Sequence, residues 1–335
     1  MRRALPDIET LVEGIRASDR VLLGQAITLV ESARPEHMAQ AQAVIDRLLA
    51  AQSTPPDTLR VGITGAPGSG KSTLIEALGC HCTARGHRVA VLAVDPSSAL
   101  SKGSILGDKT RMERLSTDPN AFVRPSPAGD ALGGVARKTR EAILLVEAAG
   151  FDTVLVETVG VGQSEMAVHR MTDIFVLLLL PGAGDELQGI KRGIVEMADL
   201  LVVNKSDGER VALANQARAH YLNATHLLPP KPSGWAPQVL ASSALEGKGV
   251  TELWAALESY RTHAQANGFF AENRREQGHF WFSEALDQGL KALFHHHGAV
   301  RAQLAALDAA VRAGKRSPFA AAAEVLAFFE KKLSG

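Results

Sequence analysis

The chain has 335 residues, 36 basic and 36 acidic side chains and a formal net charge of +0. That balance carries no electrostatic footprint for nucleic acid or for a charged membrane surface. A hydrophobic content of 46% is enough for a sizeable core, and the length suits about two domains, or one large domain with additions.

Residues 7–52 read as helix. Ile8, Leu11, Val12 and Ile15 fall on one face, and Asp19 is placed to cap a second helix bearing Val21, Leu22, Ile27, Leu29 and Val30. Pro35 suits the first turn of a third helix, with Met38, Ala41, Val44, Ile45 and Leu48 as its stripe. These stripes are expected to pack on the next domain. Ser53-Thr54-Pro55-Pro56-Asp57 is a breaker and marks a boundary, giving an N-terminal extension over 1–57.

From Leu59 the pattern changes to alternating strands and helices. Strands are expected at Arg60–Thr64, Arg88–Val94, Phe122–Val123, Thr153–Val156, Ile174–Leu180, Leu200–Val203 and Gln238–Leu240. Helices are expected over Thr73–Arg85, Gly134–Ala149 and Val250–His263. The strands are apolar throughout rather than alternating, as in a parallel sheet buried on both faces between helix layers. Ligands of such sheets bind beyond the C-terminal strand ends, where Gly65, Asp95, Glu157, Asn204 and Ser242 fall. This α/β domain spans 58–264. Over 265–335 the chain returns to helix, roughly Phe269–Phe294, Val300–Ala313 and Pro318–Leu333, and is rich in aromatics. Such an arm reads either as an ordinary helical core or as a dimer interface.

Gly65-Ala66-Pro67-Gly68-Ser69-Gly70-Lys71-Ser72 fits G-x-x-x-x-G-K-[ST], the phosphate-binding P-loop, and lies between a strand and a helix as that motif requires. Glycines let the backbone wrap a triphosphate so that amides and a helix N-terminus point at the anion. The expected phosphate contacts are Gly65, Ala66, Gly68, Ser69, Gly70, Lys71, Ser72 and Thr73, with the Ser72 hydroxyl also on Mg²⁺.

Asn204-Lys205-Ser206-Asp207 matches N-K-x-D directly after a strand. Guanine presents N1–H and a 2-amino group side by side, and a carboxylate matches that edge, so Asp207 is the expected base reader. Asn204 ties this loop to the P-loop, and the Lys205 stem covers the base face. Ser242-Ser243-Ala244 follows the next strand and resembles the element whose backbone amide reads guanine O6.

Magnesium needs further hard oxygen ligands, and Asp95, Asp108 and Glu157 are the candidates. Glu157-Thr158-Val159-Gly160 stands where D-x-x-G is usual, with Gly160 N–H expected on the γ-phosphate. Asp108 lies in a polar segment that reads as a first switch. Gln163 is near the second switch at an offset that does not fix it as the water-orienting residue. Residues 181–191 read as a third nucleotide-responsive loop, in which Lys191 or Arg192 supplies positive charge.

Cys80 and Cys82, two apart on one helix, do not face each other, which fits a reducing cytoplasm. His295-His296-His297 point in different directions on a helix and do not make a metal site. The N-terminus lacks an apolar signal region, and the longest apolar run is too short to span a bilayer; a cytoplasmic location is expected.

The set Gly65–Ser72, Val94–Ser98, Leu106–Met112, Val156–Glu165, Gly184–Lys191 and Asn204–Asp207 resembles the MeaB/ArgK family, the methylmalonyl-CoA mutase-associated GTPases. The resemblance is dense from about 60 to 250 and extends over nearly the whole chain. It implies a P-loop GTPase of the SIMIBI type with a helical N-terminal extension and a C-terminal dimerisation arm. It implies a homodimeric chaperone that gates adenosylcobalamin loading and protects an adenosylcobalamin-dependent acyl-CoA mutase, with an adenosyltransferase as a further candidate partner. Family members serve methylmalonyl-, isobutyryl- and 2-hydroxyisobutyryl-CoA mutases. The implied cofactors are GTP or GDP and Mg²⁺, with no cobalamin held by this chain itself. By position, Asp108 and Glu157 carry over to the metal and water set, and Gln188 and Lys191 to the extra switch, completing the catalytic candidates. Two other classes stay open: a small-molecule kinase linked to arginine transport, and a metal-delivery GTPase for a nickel enzyme.

Overall fold

The structure, a computed structural model, describes residues 6–52, 57–94, 112–125, 132–158, 164–182 and 192–333. The chain forms two compact units, Met1–Arg274 and Arg275–Gly335.

The first unit opens with α1 (Ile8–Arg16), α2 (Arg20–Glu31) and α3 (Pro35–Ala50). Aspartates start the first two: Asp7 accepts from Thr10 N at 2.8 Å, and Asp19 from Val21 N at 2.8 Å and Leu22 N at 3.0 Å. Pro35 heads α3. Leu11, Ile15, Leu23, Ile27, Val44 and Ile45 are buried between the helices and the domain beneath. Polar pins add to this packing: Arg124 Nε donates to Glu31 at 2.9 Å, and Gln42 donates to Glu141 at 2.8 Å.

Seven parallel strands follow: β1 (Leu59–Gly65), β2 (Val89–Val94), β3 (Ala121–Arg124), β4 (Thr153–Thr158), β5 (Ile174–Leu179), β6 (Leu200–Val203) and β7 (Gln238–Ala241). Their order across the sheet is β3-β2-β4-β1-β5-β6-β7. The chain leaves β1 first to one side and later fills the other, so β1 sits at the point where strand order reverses and a crevice opens beyond the strand ends. Glu157 lies inside β4, paired with Ile63 of β1, rather than after a strand end.

Helices cover both faces. On one, α4 (Lys71–Thr83) and α10 (Val250–Ala266) close over Val61, Ile63, Val91, Leu155, Val176 and Val202. On the other, Ala214 and Tyr221 of α9 (Val211–Thr225) meet Leu177, Leu179, Leu201, Val203 and Val239. The alternation of strand residues between these two cores is the two-residue period of the pleat. Four helices go beyond what the hydrophobic pattern predicts: α5 (Glu113–Thr117), α7 (Ser164–His169), α8 (Arg192–Met197) and α9. The first three are shorter than two turns and carry no readable stripe. α9 buries only Ala214, Tyr221 and Thr225, too few to set a periodicity. Between these, α6 (Leu132–Ala148) packs on β2. Cys80 and Cys82 are both free thiols, and burial pushes the Cys82 thiol well up.

At the strand starts, opposite the glycine loop, lies a buried ion network. Arg60 Nε and Nη2 donate to the two Glu147 oxygens at 2.6 and 2.7 Å. Asp173 Oδ2 accepts from Arg60 N at 2.8 Å and from Arg274 Nη2 at 2.7 Å, and its carbonyl accepts from Tyr260 Oη at 2.9 Å. Burial, and then the Arg60 charge, push Arg140 beside them down to about 10.

α11 (Phe269–His296) begins in the first unit. The second unit holds its remainder with α12 (Gly298–Arg312) and α13 (Pro318–Leu333). Val300, Ala321 and Val325 are buried, and Phe294 meets Phe329 edge to face at 5.2 Å. Phe282, Leu286, Leu290 and Leu293 stay exposed, at 63, 51, 59 and 64%. Their spacing of four, four and three puts them on one face of α11. Among the described residues no helix is long and apolar enough to cross a membrane.

Glu147→Gln leaves the buried Arg60 side chain without the carboxylate that pairs with it. It is expected to destabilise the first unit by about 3–5 kcal/mol, measured as a lowered urea midpoint.

Candidate functional site

The glycine loop joins β1 to α4 with backbone angles that need glycine. Gly65, Gly68 and Gly70 have φ of 156°, 79° and 89°. Space matters as well at two of them. A Cβ on Gly65 would lie 2.7 Å from Leu178 O, and one on Gly70 would lie 2.6 Å from Asn204 Nδ2. The loop is therefore a backbone cradle leading into the start of a helix at Lys71.

Lys71 is buried beneath it, with Nζ donating to Gly65 O at 2.8 Å and Ala66 O at 3.2 Å. Burial pushes its ammonium below the ordinary lysine value, while the charges of Glu157 and Glu165 hold it up. Ser72 Oγ donates to Glu157 Oε1 at 3.0 Å. A hydroxyl and a buried carboxylate thus meet next to the cation, a hard-oxygen pair of the type Mg²⁺ takes. Below them Thr158 Oγ1 donates to Thr64 Oγ1 at 2.9 Å, joining the ends of β4 and β1.

The second half of the site follows β6 and β7. Asn204 is buried and bridges the halves: Nδ2 donates to Ser69 O at 2.8 Å, and Oδ1 accepts from Ala244 N at 3.2 Å. Lys205 adopts φ 60°, which turns the chain sharply after the strand. Ser206 N then donates to Ser242 O at 3.0 Å. Asp207 Oδ2 accepts from Ser243 Oγ at 2.6 Å. A cleft of about 230 Å³ is lined by Gly70, Thr73, Asn204, Lys205, Asp207, Arg210, Ala244 and Leu245.

The structure therefore brings Gly65–Thr73, Glu157, Asn204, Lys205, Asp207 and Ser242–Ala244 to one end of the sheet. Asp95, Asp108, Gly160, Gln163, Gln188 and Lys191 lie outside the described residues, as does the side chain of Arg192. Arg210, Glu165 and the Thr64–Thr158 pair have no role in the sequence reading. Arg210, three residues after Asp207, was open to inference from spacing alone; the others required the fold.

The profile of the family described as "Methylmalonyl Co-A mutase-associated GTPase MeaB" matches residues 23–298. The chain belongs to the MeaB family. The mouse protein named methylmalonic aciduria type A homolog, mitochondrial, is 46% identical over 332 residues, covering 97% of this chain and 80% of its own. The Escherichia coli K12 protein named GTPase ArgK is 46% identical over 282 residues, covering 83% of this chain and 84% of its own. A solved structure titled LAO/AO transport system kinase superposes with a TM-score of 0.76 at 36% identity, covering 96% of this chain and 97% of that one. This MeaB-family chain is a GTPase, and it binds GTP.

Asn204→Ala removes both bridging hydrogen bonds and leaves Ser69 O and Ala244 N without their partner. GDP affinity is expected to fall about tenfold or more, read by calorimetry on the purified chain.

Proposed function

We propose that this chain is a GTP-driven switch that acts on an adenosylcobalamin-dependent acyl-CoA mutase, gating cofactor loading and protecting the mutase from inactivation. The family description and the mitochondrial relative's name support a methylmalonyl-CoA mutase as partner. The observation that carries the switch reading is the Ser72–Glu157 contact beside Lys71. That contact links β4 to the glycine loop, which supports reading the segment after β4 as a second switch.

In this reading Lys71 exchanges the Gly65 and Ala66 carbonyls for the β- and γ-phosphate oxygens. The loop amides and the α4 N-terminus hold the remaining phosphate charge. Ser72, Glu157, Asp95 and Asp108 would hold Mg²⁺, which would supply charge neutralisation for the phosphates. Asp108, Glu157, Gln188 and Lys191 form the set that orients water and stabilises charge during in-line attack. Asp207 reads the guanine edge, Ser243 fixes that carboxylate, and a backbone amide of the Ser242–Leu245 segment meets guanine O6. Hydrolysis by the isolated chain is slow, about 10⁻⁴ to 10⁻² s⁻¹ as for switch GTPases without an activator. Its output is a bias between two states of the switch loops, read by the partner.

The exposed apolar face of α11 supports a homodimer, because an unpartnered stripe of this kind buries most economically against a copy of itself.

Three outcomes test the reading. Saturating methylmalonyl-CoA mutase is expected to raise the GTP turnover rate, and chelation of Mg²⁺ to abolish it; a rate indifferent to the mutase argues against the coupling. Leu290→Glu is expected to convert the dimer to monomer in sedimentation experiments while leaving GDP binding in place.

A further inference from the structure

Asp207 meets two donors from its own chain. Ser243 Oγ takes Oδ2 at 2.6 Å, and Arg210 Nη2 stands 3.6 Å from Oδ1. Arg210 lines the same cleft as Gly70, Thr73 and Leu245. The Asp207 side chain is 15% exposed and the Arg210 side chain 54%. The carboxylate is therefore fixed, and the guanidinium is free to leave. Arg210 belongs to the single 3₁₀ turn Gly208–Arg210, which presents its side chain back toward Asp207.

A guanidinium edge and a guanine edge carry the same feature: adjacent N–H donors on a planar frame that match a carboxylate. We infer that Arg210 is a built-in competitor of the guanine base, holding Asp207 Oδ1 until the base edge displaces it. This rests on Asp207 as the base reader. Arg210 then sets the balance between capture and release of guanine nucleotide. It helps orient the carboxylate, but each binding event must break the Arg210 contact. The same residue sets base discrimination. Xanthine carries a carbonyl where guanine has its 2-amino group. That oxygen is repelled by Asp207 but accepts from Arg210, so Arg210 narrows the preference for guanine over xanthine.

The test measures GDP and XDP affinities by calorimetry on the full-length chain and on Arg210→Met and Asp207→Asn. Arg210→Met keeps the stem and removes the charge. The pair is solvent-exposed on one side, so GDP is expected to bind the Met variant about two- to fivefold tighter, with XDP bound more weakly than by the parent chain. Unchanged or weaker GDP binding by Arg210→Met overturns the competition. Asp207→Asn is expected to lose GDP affinity and gain XDP affinity. Parental GDP affinity in Asp207→Asn overturns base reading by Asp207, and the Arg210 inference with it. Loss of GDP affinity in Asp207→Asn without a gain in Arg210→Met overturns the Arg210 inference alone.

Discussion

The buried amide of Asn204 is the contact on which the site depends. Its Nδ2 holds Ser69 O in the phosphate loop, and its Oδ1 holds Ala244 N in the base wall. These segments come from β1, β6 and β7, which β5 otherwise separates. One side chain therefore fixes the distance between phosphate cradle and base cleft, which a single nucleotide must span. Burial strengthens both hydrogen bonds and makes their loss costly. The same amide dictates glycine at position 70, since a Cβ there would collide with Nδ2.

Charge is handled differently at the two ends of β1. At its start, Arg60 is locked to Glu147 and Asp173 in a buried network with Arg274. Such a network resists change, because removing one partner strands another charge in a medium that solvates it poorly. At its end, Lys71 donates to two backbone carbonyls, with Glu157 and Glu165 near. Neutral carbonyls give way to phosphate oxygens at little cost. The strand thus has a fixed root and an adaptable tip, an arrangement suited to a domain that rearranges around its ligand without losing its frame.

Much of this was legible in the sequence. Seven apolar runs marked the strands, because parallel strands buried on both faces must be apolar throughout. Gly65–Ser72 and Asn204–Asp207 stood out as GTPase motifs, because both are specified by local backbone geometry over a few contiguous residues. Asp19 and Pro35 marked the starts of the second and third helices. α9 was missed, since its three buried residues leave no stripe. The place of Glu157 within β4 was missed too, because a polar residue at the end of an apolar run reads as the run's boundary.

By itself, then, the sequence determined a parallel α/β sheet carrying the motifs of a MeaB-family GTPase, since each of these is local. Tertiary structure alone decided the strand order, the meeting of Ser72 with Glu157, the reach of Asn204 from Ser69 to Ala244, and the ion network at the root of β1. Each of these joins residues dozens of positions apart. Which partners meet is settled by the packing of two helix layers on a twisted sheet, and no spacing along the chain encodes it.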